Sequence, residues 1–151
     1  MTVYRITNAA YSSDLSGAGA KIMGGRWNSK GIPVLYTAGN ISLAVLEMLV
    51  NTNFKDYSIA LDLIHIKLPD QKKTVTITPE HLKKNWQADH DYTRFIGDEF
   101  FKEKESLVIK LPSAVVPEEN NYLVNPLHPD FIKIRIIKIK SFRPDERLFA
   151  I

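Results

Sequence analysis

A mixed α+β domain is what this sequence predicts. Three observations point there: strand-like runs outnumber helical ones, the two kinds do not alternate regularly, and 151 residues suit one hydrophobic core. Apolar residues make up 44% and charged residues 25%, a composition that excludes both a disordered and a membrane-embedded chain. No window approaches the run of about eighteen uncharged apolar residues that a spanning helix needs. The N-terminus, MTVYRITNAAYSS, lacks the basic region and apolar core of a secretory signal, so a cytoplasmic location is expected. With zero Cys there is no disulfide framework, thiol nucleophile or zinc-thiolate site, which suits a reducing compartment. The net charge of +3 is too mild to argue for nucleic acid.

In chain order, Val3 to Ile6 reads as an opening strand carrying Arg5, and Ala9 to Gly31 as a long irregular loop rich in Ser, Gly and Asn. Loops of that length inside a compact domain usually have a function. Ile32 to Thr37 reads as a buried strand, and Ser42 as the N-cap of the helix that follows. Between Tyr57 and Leu68 the apolar phase changes after Leu63, which predicts a bulged or twisted strand with His65 on its polar side. Thr78-Pro79-Glu80 predicts a capped helix start, and Asp91 to Lys104 a second helix. Leu107 to Leu111 is expected as a strand, Ser113 to Asn125 as mixed loop and strand, and Phe131 to Lys140 as a long strand. The basic residues of that last segment, FIKIRIIKIK, alternate as a solvated strand face would. Internal repeats and low-complexity segments are absent, so one domain spanning 1–151 is expected.

The residue that packing alone would not choose is Glu47. It interrupts the run Leu43-Ala44-Val45-Leu46-Met48-Leu49-Val50 and at helical spacing shares a face with Leu43, Leu46 and Val50. Burying an unpaired carboxylate costs several kcal/mol, so such a group must be paired or placed in a cleft. Common generic motifs are missing: there is no GxxxxGK, GxGxxG, HExxH or GxSxG. The four His, at 65, 81, 90 and 128, have no recognisable metal spacing, so no metal is expected.

What the chain does contain, in order, is GGRWNSKG from Gly24, VLYTA from Val34, SLAVLEML from Ser42 and LPSAVVPEENNYLVNPLHPDF from Leu111. In order and spacing, from about Tyr4 to Phe131, these segments resemble the RES domain, named for its Arg, Glu and Ser. That resemblance implies a fold like that of ADP-ribosyltransferases of the diphtheria-toxin kind, with a split, twisted sheet core and flanking helices. It also implies the toxin of a bacterial type II toxin-antitoxin pair that destroys NAD by hydrolysis or phosphorolysis. By motif, Arg26, Tyr36 and Glu47 match the family's catalytic set; Ser113, Asn125 and Arg5 match further polar positions, and Gly25, Trp27 and Asn28 flank Arg26 as substrate-binding candidates. One departure is visible: Glu118-Glu119-Asn120-Asn121 lacks the Arg often found there in relatives.

The implied chemistry is sound on first principles. Nicotinamide departs from its ribose as a neutral molecule through an oxocarbenium-like transition state, so no general acid is required. Glu47 would stabilise the developing charge, Arg26 and Arg5 would take the pyrophosphate, and Tyr36 would stack on nicotinamide. NAD is then a substrate, no prosthetic group is expected, and either water or inorganic phosphate serves as acceptor. The resemblance further implies an Xre-like helix-turn-helix antitoxin, DNA contact only through that antitoxin, and a toxin dimer within a larger assembly. Plainer readings exist for each residue: a core aromatic for Tyr36, turn-forming residues for Ser113 and Asn125, structural ion pairs for Arg5 and Glu47, and packing for Trp27. Two other functions compete, a mono-ADP-ribosyltransferase acting on a protein and a non-catalytic binding module.

Overall fold

The computed structural model describes residues 1–52, 59–71 and 74–149. Among these the strands are β1 (Thr2–Asn8), β2 (Leu35–Ala38), β3 (Leu61–Lys67), β4 (Val75–Thr76), β5 (Val108–Pro112), β6 (Asn120–Val124) and β7 (Arg135–Phe142). The helices are α1 (Ala18–Met23), α2 (Ile41–Asn51) and α3 (His90–Glu103). The sheet runs β4-β5-β6-β2-β1-β3-β7, with β4 parallel to β5 and every other pair antiparallel. This is the α+β class the sequence predicts.

Its seam is narrow. The centre of the sheet, β1 against β2, is joined through the single residue pair Tyr4 and Ala38, whereas β1 and β3 pair from Thr2–Lys67 to Asn8–Leu61. The sheet therefore behaves as two halves, and side chains from both fill the space on one face: Val3, Ile64 and Ile66 from one half, Leu35, Val108 and Val124 from the other. On the opposite face Ile109, Leu111 and Leu123 pack with Trp27, Trp86 and Phe101 of the α3 side, and Tyr4, Ile6 and Ala38 pack under Leu43 and Ala44 of α2. Apolar burial on both faces of a strand, rather than on one, is what a central strand requires.

Several expectations shift. Asn40, not Ser42, caps α2: its extended backbone enters the helix and its Oδ1 accepts from the Leu43 amide at 2.8 Å. The expected loop 9–31 contains α1, closed by Gly24 at φ 70°. The strand expected at 32–37 starts only at Leu35. The start of the strand expected at Tyr57 lies outside the described residues. The phase change after Leu63 is not a bulge in β3: Leu63 and Ile64 are both buried because β3 is covered on both faces, and the extra residue, Ile137, sits in β7 opposite His65/Ile66. Thr78-Pro79-Glu80 opens only a short 3-10 turn, Pro79–His81, closed by the His81 ring accepting from the Thr78 amide. Residues 129–133 form another 3-10 turn, so the last strand begins at Arg135. Asp89 caps α3 through the Tyr92 amide, and Lys104 at φ 54° ends it.

Candidate active site

The segment Gly24–Gly31 lies between β2 and α3 and is fastened to both. Gly25 has no space for a side chain, since a Cβ there would stand 2.7 Å from the Tyr36 hydroxyl oxygen and 2.8 Å from Asn28 Oδ1. From α3, Thr93 Oγ1 donates to the Arg26 carbonyl at 2.6 Å and Arg94 Nε to the Gly25 carbonyl at 2.9 Å. Asp98, one turn on, accepts from the Ser29 amide at 2.8 Å and its hydroxyl at 2.6 Å. Helix and loop touch backbone to backbone at Gly97, where a Cβ would lie 1.7 Å from the Trp27 carbonyl oxygen.

This clamped loop presents Arg26 half-buried. Its Nη1 donates to the Gln87 carbonyl at 2.8 Å. Burial lowers its pKa below the ordinary arginine value; the Glu47 charge opposes that most, Tyr36 less, and Arg94 adds to the lowering. Tyr36 reaches in from β2, where its hydroxyl donates to Asn28 Oδ1 at 2.6 Å and accepts from the Trp27 amide at 3.0 Å. Burial, the dominant influence, raises its pKa well above the ordinary phenol value, so it is a neutral donor across the physiological range. The hydroxyl is spent on the loop, leaving the ring as the part of Tyr36 that a ligand can use.

Glu47 stands on α2 across from this loop. The buried stripe of α2 is Leu43, Ala44 and Met48, whereas Leu46 is 38% and Val50 61% exposed, so the expectation that Glu47 shares a buried face with Leu46 and Val50 is corrected. Glu47 sits at the stripe's border instead, where a helix meets the end of the β5–β6 hairpin. Its Oε1 accepts from Ser113 Oγ at 2.7 Å and from Asn121 Nδ2 at 2.6 Å. Ser113, fully buried, also accepts at Oγ from the amides of Val115 and Val116 at 3.0 and 3.1 Å. With those two amides on the lone pairs, the hydroxyl proton is directed to Glu47, so Ser113 shapes a turn and orients the carboxylate at once. Among the described residues Glu47 Oε2 has only Asn51 Nδ2, at 3.4 Å. One carboxylate oxygen is thus fixed and the other is open to a ligand.

Other candidates are not brought to this group. Asn28 is fully buried and shares its amide N–H groups among the carbonyls of Ala20, Ser29 and Ile32; it builds the loop and contacts no open space. Trp27, 2% exposed, packs on Trp86 with ring centroids 5.6 Å apart. Asn125 is buried beyond the far end of β6, four residues from Asn121 and so about 13 Å along the strand. There it donates to the Phe101 carbonyl and accepts from the Leu127 amide. Arg5 lies on the face of β1 opposite Tyr4 and Ile6, the pair that packs under α2; burial lowers its pKa and Asp14 opposes.

Two residues absent from the sequence reading belong to the site. Asn121 lies in the stretch noted only for its missing Arg, and its register opposite Leu111 and Ala38 aims it at α2. Arg94 left one signal in the sequence, the mid-helix Gly97 three residues on, which marks a close backbone approach at that part of α3. Among the described residues no three His, Asp or Glu are grouped to hold a metal ion.

The split α+β sheet carries a carboxylate, two guanidinium groups and an aromatic ring on its loop, helix and strand elements, and comparison with known proteins places a chain of this fold among toxins of toxin-antitoxin systems. The RES domain family model matches residues 2–148, and the chain belongs to the RES-domain family. It is 38% identical over 152 residues to "Toxin Res" of Photorhabdus laumondii, covering 98% of this chain and 97% of that one. To "Toxin Res" of Pseudomonas putida it is 36% identical over 151 residues, 99% and 100% of the two chains. The "Prs ADP-ribosylating toxin" of Sphingobium sp. is 36% identical over 141 residues, 91% and 88%. Among solved structures, the M. tuberculosis MbcT-MbcA toxin-antitoxin complex aligns with TM-score 0.78 at 21% identity, over 99% of this chain and 89% of that chain, which is a likeness of fold. No helix among the described residues is long and apolar enough to cross a membrane.

Proposed function

We propose that this RES-family toxin cleaves the bond between nicotinamide and ribose in NAD and so depletes the cofactor. The observation that carries the reading is Glu47: one oxygen is held by Ser113 and Asn121 while the other is open among the described residues, and its charge acts on Arg26, which also feels Tyr36 and Arg94. NAD lies with its pyrophosphate toward Arg26 and its nicotinamide against the Tyr36 ring. As the glycosidic bond breaks, positive charge grows on the ribose and the open Glu47 oxygen stabilises it while accepting from a ribose hydroxyl, an interaction stronger in the transition state than in the ground state. Nicotinamide leaves neutral, and water or inorganic phosphate attacks the cation. The partner is an antitoxin of the helix-turn-helix Xre type that covers this site and carries any DNA contact, with toxin dimers inside the complex, and the toxin works in the cytoplasm.

Proton NMR of NAD with the purified toxin, with and without phosphate, tests this. Release of nicotinamide is expected, with ADP-ribose as product for hydrolysis or its 1″-phosphate for phosphorolysis. Glu47→Gln should fold normally and lose at least about a thousandfold in kcat, by comparison with removal of other groups that stabilise developing charge. Undiminished turnover in that variant removes Glu47 from the chemistry. A second reading, transfer of ADP-ribose to a protein, is favoured by the name of the Sphingobium relative, an ADP-ribosylating toxin. Labelled NAD incubated with lysate separates the two, because transfer marks a discrete protein band and degradation marks none.

A further inference from the structure

We propose that Arg94 is the second cation of a dianion clamp with Arg26, the ligand being the pyrophosphate of the dinucleotide; this rests on the NAD-cleaving reading above. Arg94 projects from the middle of α3 at the one stretch where that helix comes backbone-to-backbone with the loop, between Thr93, bonded to the Arg26 carbonyl, and Gly97, pressed on Trp27. Its Nε is spent on the Gly25 carbonyl at 2.9 Å, which fixes the plane of the guanidinium one residue from Arg26. Both terminal amino groups of Arg94 are left with no protein partner among the described residues, and Arg26 has only the Gln87 carbonyl on Nη1.

Charge makes the arrangement costly unless something fills it. Neither guanidinium has a carboxylate within ion-pair distance among the described residues. On α3, Asp98, four residues after Arg94, is occupied by Ser29, and Asp91, three residues before it, makes no ion pair with it among the described residues; Glu47 Oε1 is occupied by Ser113 and Asn121. After burial, the Arg94 charge is one of the influences holding Arg26 below its ordinary value, so the two cations repel. A half-buried pair of like charges held by backbone anchors is relieved by a doubly charged anion, and two planar forks match the two phosphates of a pyrophosphate. Arg94 is a substrate-contacting cation, and its backbone bond makes it a brace for the loop as well.

Arg94→Gln separates the two roles, since the Gln amide nitrogen stands the same number of bonds from Cα as the arginine Nε. The donor to the Gly25 carbonyl is kept and the charge is removed. Losing charge-assisted bonds should raise KM for NAD about ten- to a hundredfold with kcat within about threefold. KM should also depend less steeply on salt, and Arg94→Lys should recover part of the loss. With nicotinamide riboside, which has no pyrophosphate, wild type and Arg94→Gln should be equal. Equal KM for NAD in the two proteins, a loss confined to kcat, or the same loss on nicotinamide riboside overturns the clamp. Calorimetry with inorganic pyrophosphate tests it independently of turnover: wild type should bind and Arg94→Gln should not, even if NAD proves not to be cleaved. Pyrophosphate binding that is unchanged in Arg94→Gln defeats the proposal whatever the reaction.

Discussion

The two sides of the site are built by opposite means. On the Arg26 side the loop is held through its backbone and through buried groups: Asn28, Tyr36, Thr93 and Asp98 all spend their hydrogen bonds on it, and Gly25 and Gly97 allow contacts with no room for a methyl group. On the Glu47 side a single side chain on a surface-bordering helix is steered by two other side chains, and no backbone bond depends on its position. The difference teaches where function and folding are separable. Mutations on the loop side should cost stability and activity together, whereas mutations on the carboxylate side should cost activity alone.

Gly97→Ala should give the largest effect on the loop side. The new Cβ would meet the Trp27 carbonyl oxygen at 1.7 Å and its carbon at 2.7 Å, and both are backbone, so neither partner can swing away. Helix and loop must separate, at a cost above about 3 kcal/mol, at the upper end of overpacking substitutions. Thermal unfolding should fall by about 10 °C. A variant melting within a degree or two of wild type would show that the clamp between α3 and the loop is looser than these contacts imply. Asn28→Ala comes next, because it strands the carbonyls of Ala20 and Ile32 and the Tyr36 hydroxyl without their partner. About 2–4 kcal/mol should be lost by denaturant titration, with NAD turnover falling in step. Full stability with lost turnover would make Asn28 a ligand contact instead of a loop-builder, and the contrast between the two sides would fail on its stronger side.

How much of this was visible in the sequence follows from which forces decide each element. Arg26, Tyr36, Glu47 and Ser113 stand in motifs whose spacing places them on a loop, a strand, a helix and a strand end, and the fold links them: Ser113 bonds Glu47, and the charges of Glu47 and Tyr36 act on Arg26. Asn125 and Arg5 stand in equally recognisable motifs and lie elsewhere, since a motif records that a residue is needed but not whether it anchors the backbone or meets a ligand. The cap of α2 was misjudged because Asn40 and Ser42 have similar intrinsic preference, and the direction in which the chain leaves β2 chooses between them. Leu63 and Ile64 suggested a bulge because a strand covered on both faces loses its alternation. Arg94 and Asn121 were hidden for a common reason: each is placed by a contact far along the chain, to Gly25 and to Glu47, and local pattern has no access to such contacts.

Asn121→Ala is the smallest of these changes and the sharpest test of separability. Asn121 is partly exposed and its Nδ2 holds Glu47 Oε1 at 2.6 Å, while its own Oδ1 is buried without a partner among the described residues, so removing the side chain deletes one bond and one unsatisfied group together. Those two terms offset each other in stability, and the melting temperature should stay within about 2 °C of wild type. Catalysis has no such offset. Ser113 would still hold Oε1, but with a single donor the carboxylate can rotate out of line with the ribose, and kcat should fall about tenfold with KM little changed, the pattern of an interaction felt mainly in the transition state. Asn121→Asp sharpens the point, since it places a second carboxylate against Glu47 where a donor had been and should cost more than Asn121→Ala. If Asn121→Ala instead lowers the melting temperature as much as Asn28→Ala, then Glu47 is tied into the fold as firmly as the Arg26 loop is, and the two sides of the site are built alike.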